Sequence, residues 1–168
     1  MGHETDIPYL NRENINIFFE SLACEIEKAE IGPHSILVVG GAAIALKYMN
    51  ERSTVDIDMC FREQHELYRC CQKVAEKHRL PDDWINADVM HSDSFSYSLF
   101  SNAELYRQFR TCLTVYVASN LDLYCMKLVS FRPKDIQDMV VLKDSLLADG
   151  INIEAIEKNF VRLYGSEY

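Results

Sequence analysis

The sequence predicts an α/β fold, a small mixed sheet flanked by helices with a helical C-terminal portion. Short β-branched runs alternate with segments of helical periodicity, hydrophobic residues make up 48% of the chain, and glycine and proline are too few for a low-complexity chain. The 168 residues suit a single domain. We expect the core of this domain at about 30–120 and its helical part at about 120–168.

Helices are predicted where apolar residues recur every three or four positions. The first follows Asn11, a typical N-cap residue, and Asn120 is predicted to cap a later one. Pro133 suits the first turn of a helix, and Gly150 is a natural stop after it. The predicted helices are residues 12–29, 42–49, 62–78, 103–109, 121–131, 134–148 and 153–164.

Strands are predicted at three short runs. Residues 35–39 are apolar and β-branched and end on a glycine pair, and residues 111–117 combine β-branched with aromatic side chains. Residues 55–61 alternate strictly, which places Asp56 and Asp58 on one face. Residues 88–100 fit neither pattern.

The charge balance restricts the function classes. Seventeen basic and 26 acidic residues give a net charge of -9, which opposes non-specific binding to nucleic acid or to an anionic membrane. A local basic pocket is still compatible with this charge. The longest nearly apolar run, residues 36–46, is far shorter than the roughly 20 residues that span a bilayer. We therefore expect no signal peptide or membrane anchor.

The six cysteines have neither zinc-site spacing nor a CxxC pair, and most lie among apolar residues. This pattern predicts reduced thiols and a cytoplasmic location. A thiol enzyme built on Cys70 and Cys71 is a weak alternative, because adjacent helical cysteines rarely pair and no histidine is placed to activate them.

The pattern that indicates chemistry is Gly40-Gly41 followed by Asp56 and Asp58. Two like charges at i and i+2 of a strand repel each other, and a divalent cation such as Mg²⁺ or Mn²⁺ resolves the conflict. Glycines at a strand-to-helix turn let the backbone approach a phosphate. The alternative for the glycine pair alone is a plain tight turn, and the alternative for the aspartate pair alone is a solvated edge strand. The occurrence of both pairs together favours a metal and phosphate site.

With these residues the chain resembles the DNA polymerase beta-like nucleotidyltransferase superfamily. The resemblance is greatest to its small bacterial branch, which includes toxin–antitoxin and abortive-infection nucleotidyltransferases. The Asp122-x4-Lys127 spacing and the run at 132–138 resemble later motifs of that branch. The likeness covers about 36–142. It implies Mg²⁺-dependent transfer of a nucleoside monophosphate from an NTP to an acceptor hydroxyl.

The resemblance also implies roles for individual residues. Asp56 and Asp58 hold the metal and act in catalysis together with Lys127, and the glycine pair cradles the β- and γ-phosphates. The residues implied in nucleotide binding are Gly40, Gly41, Arg52, Thr54, Arg132 and Asp135. The acceptor is an RNA such as tRNA, a protein or a small molecule, and an antitoxin-like protein partner is implied.

The sequence departs from the family pattern at one position. Active members place a third carboxylate on a later strand, yet residues 111–119 contain no acid. Asp88 is the candidate replacement. If no third acid reaches the site, the chain is a catalytically inactive nucleotidyltransferase-like module that acts through protein partners.

Several charged candidates have simpler interpretations. Lys127 emerges from an apolar helix face, so its ammonium either meets a phosphate or carboxylate or extends along its stem to water. Asp122 and Asp135 occupy first turns, where acids cap helices. Lys47 is a candidate for triphosphate contact, although a lone lysine is more often a solvated surface charge.

Overall fold

The computed structural model describes residues 9–61 and 65–166 and has the predicted α/β architecture, with a five-stranded mixed sheet flanked by helices. The α-helices of the described chain are α1 (Arg12–Lys28), α2 (Gly40–Lys47), α3 (His65–His78), α4 (Asn120–Ser130), α5 (Asp135–Ala148) and α6 (Ile153–Tyr164). The strands are β1 (His34–Val38), β2 (Ile57–Cys60), β3 (Ile85–Asn86), β4 (Glu104–Phe109) and β5 (Leu113–Val117). Two 3₁₀ segments, Asp88–His91 and Tyr97–Asn102, fill the stretch that fitted neither pattern.

The strand order places the two predicted motifs side by side. The order is β3-β2-β1-β5-β4, with β1 antiparallel to β2 and parallel to β5. Val38 is opposite Met59, and the backbone N–H of Val39 donates to the carbonyl of Asp58 at 3.0 Å. Because β2 begins beside the end of β1 and runs antiparallel to it, this register brings Asp58 to the glycine turn.

Helix α1 forms as its sequence predicts. Asn11 and Asn14 make a reciprocal capping box, and the buried face of the helix packs against α3 and the sheet. The core is formed by large apolar side chains that are almost fully buried, including Trp84, Phe19, Phe109, Ile15 and Leu22. The start of the helix predicted at 62–78 lies partly outside the described residues.

The helix predicted at 103–109 is wrong, because this segment is strand β4. It pairs antiparallel with β5 along its whole length, and Arg110 turns the chain between them with a φ of 53°. Tyr106 also exchanges hydrogen bonds with Asn16 on α1. Pairing with β5 and contact with α1 therefore outweigh the local helix preference of the segment.

Helix α4 is the central helix of the C-terminal portion and packs against both α5 and α6. Its N-cap is Ser119 rather than the predicted Asn120, since the Ser119 side chain accepts from the backbone N–H of Asp122 at 3.1 Å. Phe131 ends the helix in a left-handed conformation. None of the helices in the described ranges has the length and hydropathy of a membrane span.

Candidate active site

The glycine turn after β1 has a conformation and a neighbour that both require glycine. Gly40 has a φ of 64°, and a Cβ built on it would lie 2.7 Å from Oδ2 of Asp58. At Gly41 a Cβ would lie 3.1 Å from Oγ1 of Thr54 and 3.4 Å from a guanidinium nitrogen of Arg52. The turn therefore brings the first amides of α2 close to Asp58, Thr54 and Arg52.

The two carboxylates lie at the start of β2. Asp58 is on the strand, and Asp56 immediately precedes it. Burial raises the pKa of Asp58, and the charge of Asp56 raises it further, whereas Arg132, Lys127 and Lys134 lower it. The ionised Asp58 carboxylate thus lies in a place where negative charge is unfavourable until a cation compensates it.

A cluster of paired charges lies across from Asp58. The ammonium of Lys127 is 2.5 Å from Oδ1 of Asp135 and 3.1 Å from Oδ2 of Asp138. Arg52 donates to Asp138 at 2.8 Å, and Arg132 donates to Asp135 at 2.9 Å. Lys127 is buried and carboxylate-bound, so it is not a lysine that extends to water.

Asp135 is the centre of this cluster. It is fully buried and accepts from Lys127, from the Ser130 hydroxyl at 2.9 Å, and from the backbone and side chain of Arg132. Burial raises the pKa of Asp135, but the hydrogen bonds from Arg132, Lys127 and Ser130 outweigh this effect and hold its pKa well below the usual range. Asp135 therefore fixes the loop between α4 and α5 against the cleft.

The comparison with protein families agrees with this geometry. A family model described as a nucleotidyltransferase of unknown function, DUF6036, matches residues 19–165. The chain belongs to this nucleotidyltransferase family. No curated protein and no solved structure matches the chain.

In this DUF6036 member, β2 lies between β1 and β3. The neighbour of β2 that follows it in the chain is β3, and this changes where a third carboxylate belongs. We expected such a group within residues 111–119, but β5 pairs with β1 and β4 and does not adjoin β2. Asn86 on β3 is opposite Asp58 and donates from Nδ2 to Oδ2 of Asp56 at 3.2 Å. A neutral amide therefore occupies the position nearest the pair.

Asp88 lies two residues further along and lines the same cavity as Asp58. Its backbone N–H donates to Oδ1 of Asn86 at 3.0 Å. Within residues 9–61 and 65–166, no three His, Cys, Asp or Glu side chains converge closely enough to form a metal cage. A metal held by Asp56 and Asp58 would thus depend on substrate and water oxygens for its other ligands, which is the usual mode for Mg²⁺.

Two other predicted candidates lie outside the cleft. Lys47 is at the far end of α2 from the glycine turn and forms an ion pair with Glu104 on β4. Asp122 is fully buried and is bound at Oδ1 by Arg162 at 2.5 Å and by Asn159 at 2.8 Å. The Asp-x4-Lys motif is therefore divided, with Lys127 at the cleft and Asp122 anchoring α4 to α6.

The cysteines of the family member do not form a reactive site. All six are free thiols, and Cys70 and Cys71 are each 2% exposed. Burial raises the pKa of both thiols, that of Cys71 to about 12. Neither thiol is therefore activated as a nucleophile.

Sequence reasoning missed the contact of Asn86 with Asp56 and the contact of Asp138 with Arg52. Asn86 belongs to a strand of only two residues, which is too short to give a periodic signal. The Asp138 contact with Arg52 joins residues that are 86 positions apart. The available signal for the Asp138 contact was the presence of Asp135 and Asp138 on one helix face. Two acids in the first turn are more than capping of the helix needs, which indicates a further basic partner.

Proposed function

We propose that this protein is a Mg²⁺-dependent nucleotidyltransferase that moves a nucleoside monophosphate from an NTP onto an acceptor hydroxyl. The observation that carries the proposal is the contact between Asp58 and the glycine turn. A candidate metal ligand lies directly beside a helix N-terminus that can bind phosphate. Membership of a nucleotidyltransferase family supports the same reaction class.

The residues of the cleft fit distinct tasks in this reaction. The amides at Gly40 and Gly41 suit the β- and γ-phosphates, with Thr54 and Arg52 beside them. Asp56 and Asp58 would hold Mg²⁺ or Mn²⁺, which supplies charge neutralisation for the phosphates when bound. Lys127 and Arg132 face Asp58 and place positive charge where negative charge develops.

The transfer step is an in-line displacement at phosphorus. The acceptor oxygen forms a bond to the α-phosphorus, the bond to the bridging oxygen breaks, and pyrophosphate leaves while the hydroxyl proton passes to water. Positioning supplies most of the rate enhancement in such reactions. The hydrogen bonds that fix Lys127 and Arg132 onto Asp135 support a preorganised cleft.

Calorimetric titration with each of the four NTPs, with Mg²⁺ and with EDTA, tests the proposal. We expect Mg²⁺-dependent binding of at least one NTP, lost by more than about tenfold in Asp56→Ala/Asp58→Ala because both metal ligands are gone. Asp82→Ala/Asp83→Ala is the matched control, since these neighbouring acids are exposed on a turn. A double variant of Asp56 and Asp58 that binds Mg·NTP as well as the parent would remove the assignment.

A second candidate is the catalytically inactive module. It is favoured by Asn86, which places an amide where a third carboxylate would lie beside Asp56. This candidate predicts no nucleotide transfer and a stable complex with a protein partner. Incorporation of label from α-³²P-NTP into any acceptor by the purified protein would exclude it.

The toxin-like branch is a further proposal about the physiological setting. It rests on the Asp122-x4-Lys127 spacing and on the 132–138 run, in which Asp135 and Asp138 hold Lys127. In that setting the protein is cytoplasmic, its acceptor is tRNA or another cellular molecule, and an antitoxin-like protein restrains it. Growth arrest on expression, relieved by Asp58→Ala, would support this setting, whereas normal growth with active enzyme would count against it.

A further inference from the structure

A cavity of about 450 Å³ opens from Asp58 toward the 3₁₀ segment Asp88–His91. One wall consists of Val129, Ser130 and Arg132 at the end of α4, and the other is formed by residues 88–94. Neither glycine of the turn nor Arg52 or Lys127 is among the described residues that line it. The cavity therefore adjoins Asp58, and its described lining does not include the candidate phosphate-binding turn.

The wall that continues from residues 88–94 is fixed by the last turn of α6. Tyr164 donates from its hydroxyl to the carbonyl of Ser94 at 2.8 Å, and Ser96 donates to the carbonyl of Leu163 at 2.6 Å. Arg162 donates to the carbonyl of Ser98 at 2.7 Å. One of these hydrogen bonds anchors the lining residue Ser94 and the other two hold the chain that follows it, so the cavity is preformed, as small-molecule sites usually are.

The charges of the cavity do not balance. Arg132 is the one cation among its described lining residues, and its guanidinium is bound by Asp135 at 2.9 and 3.2 Å. Asp88 and Asp93 are exposed, and neither carboxylate takes part in a hydrogen bond or ion pair within the described chain. Two uncompensated negative charges therefore face the space next to Asp58.

Two serine hydroxyls line the same cavity as these carboxylates. Ser92 and Ser94 approach each other at 2.9 Å between their Oγ atoms, and Ser92 donates to the carbonyl of Val89. Such groups bind hydroxyls and amines, whereas the carboxylates repel phosphates. An RNA end would bring several phosphates to this wall, so its chemistry disfavours a nucleic acid.

We propose that this cavity is the acceptor subsite and that the acceptor is a small molecule carrying both hydroxyl and ammonium groups. The inference rests on the proposed nucleotidyl transfer, because it needs a donor NTP beside Asp58. One ammonium pairs with Asp88 and another with Asp93, and this places a hydroxyl toward the α-phosphate. The acceptor oxygen then gains the nucleotidyl group, and pyrophosphate and a proton leave.

Two rings of equal size test the charge preference directly. The probes are 1,3-diamino-1,3-dideoxy-scyllo-inositol, a dication, and scyllo-inositol, in which hydroxyls replace both ammonium groups. Each is titrated calorimetrically into the protein, with and without Mg²⁺ and a non-hydrolysable NTP analogue. We expect the diamine to bind about tenfold more tightly, since each of its two ammonium groups gains an ion pair that contributes about threefold in affinity.

Matched variants separate the cavity from the overall acidity of the chain. Asp88→Asn/Asp93→Asn should reduce the preference for the diamine to about threefold or less. Asp82→Asn/Asp83→Asn removes the same charge from exposed positions outside the described lining and should leave the preference unchanged. Equal affinity of the parent protein for both rings would overturn the proposal. An equal loss of the preference for the diamine in both double variants would also overturn it.

An RNA hairpin with a free 3′ hydroxyl is the competing probe. If it binds the Mg²⁺- and analogue-loaded protein more tightly than the diamine does and displaces it, the acceptor is nucleic acid and the proposal is wrong. If the NTP analogue binds but the protein does not prefer the diamine over scyllo-inositol, the acceptor subsite is wrong and the proposed nucleotidyl transfer stands. If the diamine is preferred but the NTP analogue does not bind, the proposed nucleotidyl transfer is wrong, and the cavity loses its role as an acceptor subsite.

Discussion

Gly40 is subject to two constraints whose effects can be separated. It has a positive φ, and its missing Cβ leaves room for the Asp58 carboxylate. Gly150 has a similar φ of 74° with nothing within 4 Å of an added Cβ. Gly150→Ala should therefore cost only the left-handed backbone penalty, about 1–2 kcal/mol.

Gly40→Ala should cost more than Gly150→Ala, because its Cβ also displaces Asp58. Urea unfolding measures both costs, and calorimetry measures Mg·NTP binding. We expect binding to fall by at least about tenfold in Gly40→Ala and to be unchanged in Gly150→Ala. Equal unfolding costs with normal binding in both variants would show that Asp58 moves aside freely.

Asp58 should destabilise the protein when no metal is bound. Its pKa is raised, first by burial and then by Asp56, so its ionised form is less favourable in the folded chain than in the unfolded chain. Asp58→Asn should therefore raise the urea midpoint at pH 7 in EDTA. Added Mg²⁺ should raise the midpoint of the parent and leave that of the variant unchanged. A variant less stable than the parent in EDTA would contradict this account.

At the scale of elements, the last turn of α6 connects two parts of the molecule. Arg162 donates to Asp122 at the start of α4 and to the carbonyl of Ser98 in the 3₁₀ segment Tyr97–Asn102. Arg162→Ala leaves Asp122 buried without its cation, which should lower the free energy of unfolding by about 3–5 kcal/mol. Urea unfolding measures this loss.

Arg110→Ala provides the control for Arg162→Ala. Arg110 forms ion pairs with Glu20 and Glu27, and all three side chains are exposed. The free energy of unfolding should fall far less in Arg110→Ala than in Arg162→Ala, because water screens exposed ion pairs. A double-mutant cycle with Asp122→Asn should show that the energies of Arg162 and Asp122 are not additive. Additive losses would mean that the pairing of Arg162 with Asp122 does not contribute to holding α6.

Elements with local signals were predictable from the sequence. The glycine turn is specified by residues adjacent in the chain, and the Asp56–Asp58 pattern lies within one short run. Strand β4 was not predictable, since its conformation depends on pairing with β5 and contact with α1. The pairing of Asp122 with Arg162 was missed for the same reason, because the two residues are 40 positions apart.

At the scale of the whole molecule, the buried carboxylate of Asp135 and the half-buried carboxylate of Asp58 have opposite effects on the pH dependence of stability. The pKa of Asp135 is lowered, so its stabilisation is complete above the ordinary value near 3.8 and is lost as the pH falls further. The pKa of Asp58 is raised, so stability declines as the pH rises above that ordinary value. The net charge of -9 adds a general repulsion that also grows with pH.

These opposing effects predict a maximum of stability on the acidic side of neutrality. In the absence of divalent cations, the free energy of unfolding should be greatest at about pH 4–5 and should decline both below about pH 4 and as the pH rises from the maximum. Urea titrations between about pH 3 and pH 8 measure it. Asp58→Asn should flatten the decline just above the maximum, and Asp135→Asn should flatten the acid limb. A stability that rises steadily to pH 8 in the parent would show that neither the ionisation of Asp58 nor the general repulsion governs the folded state, since both require the opposite slope.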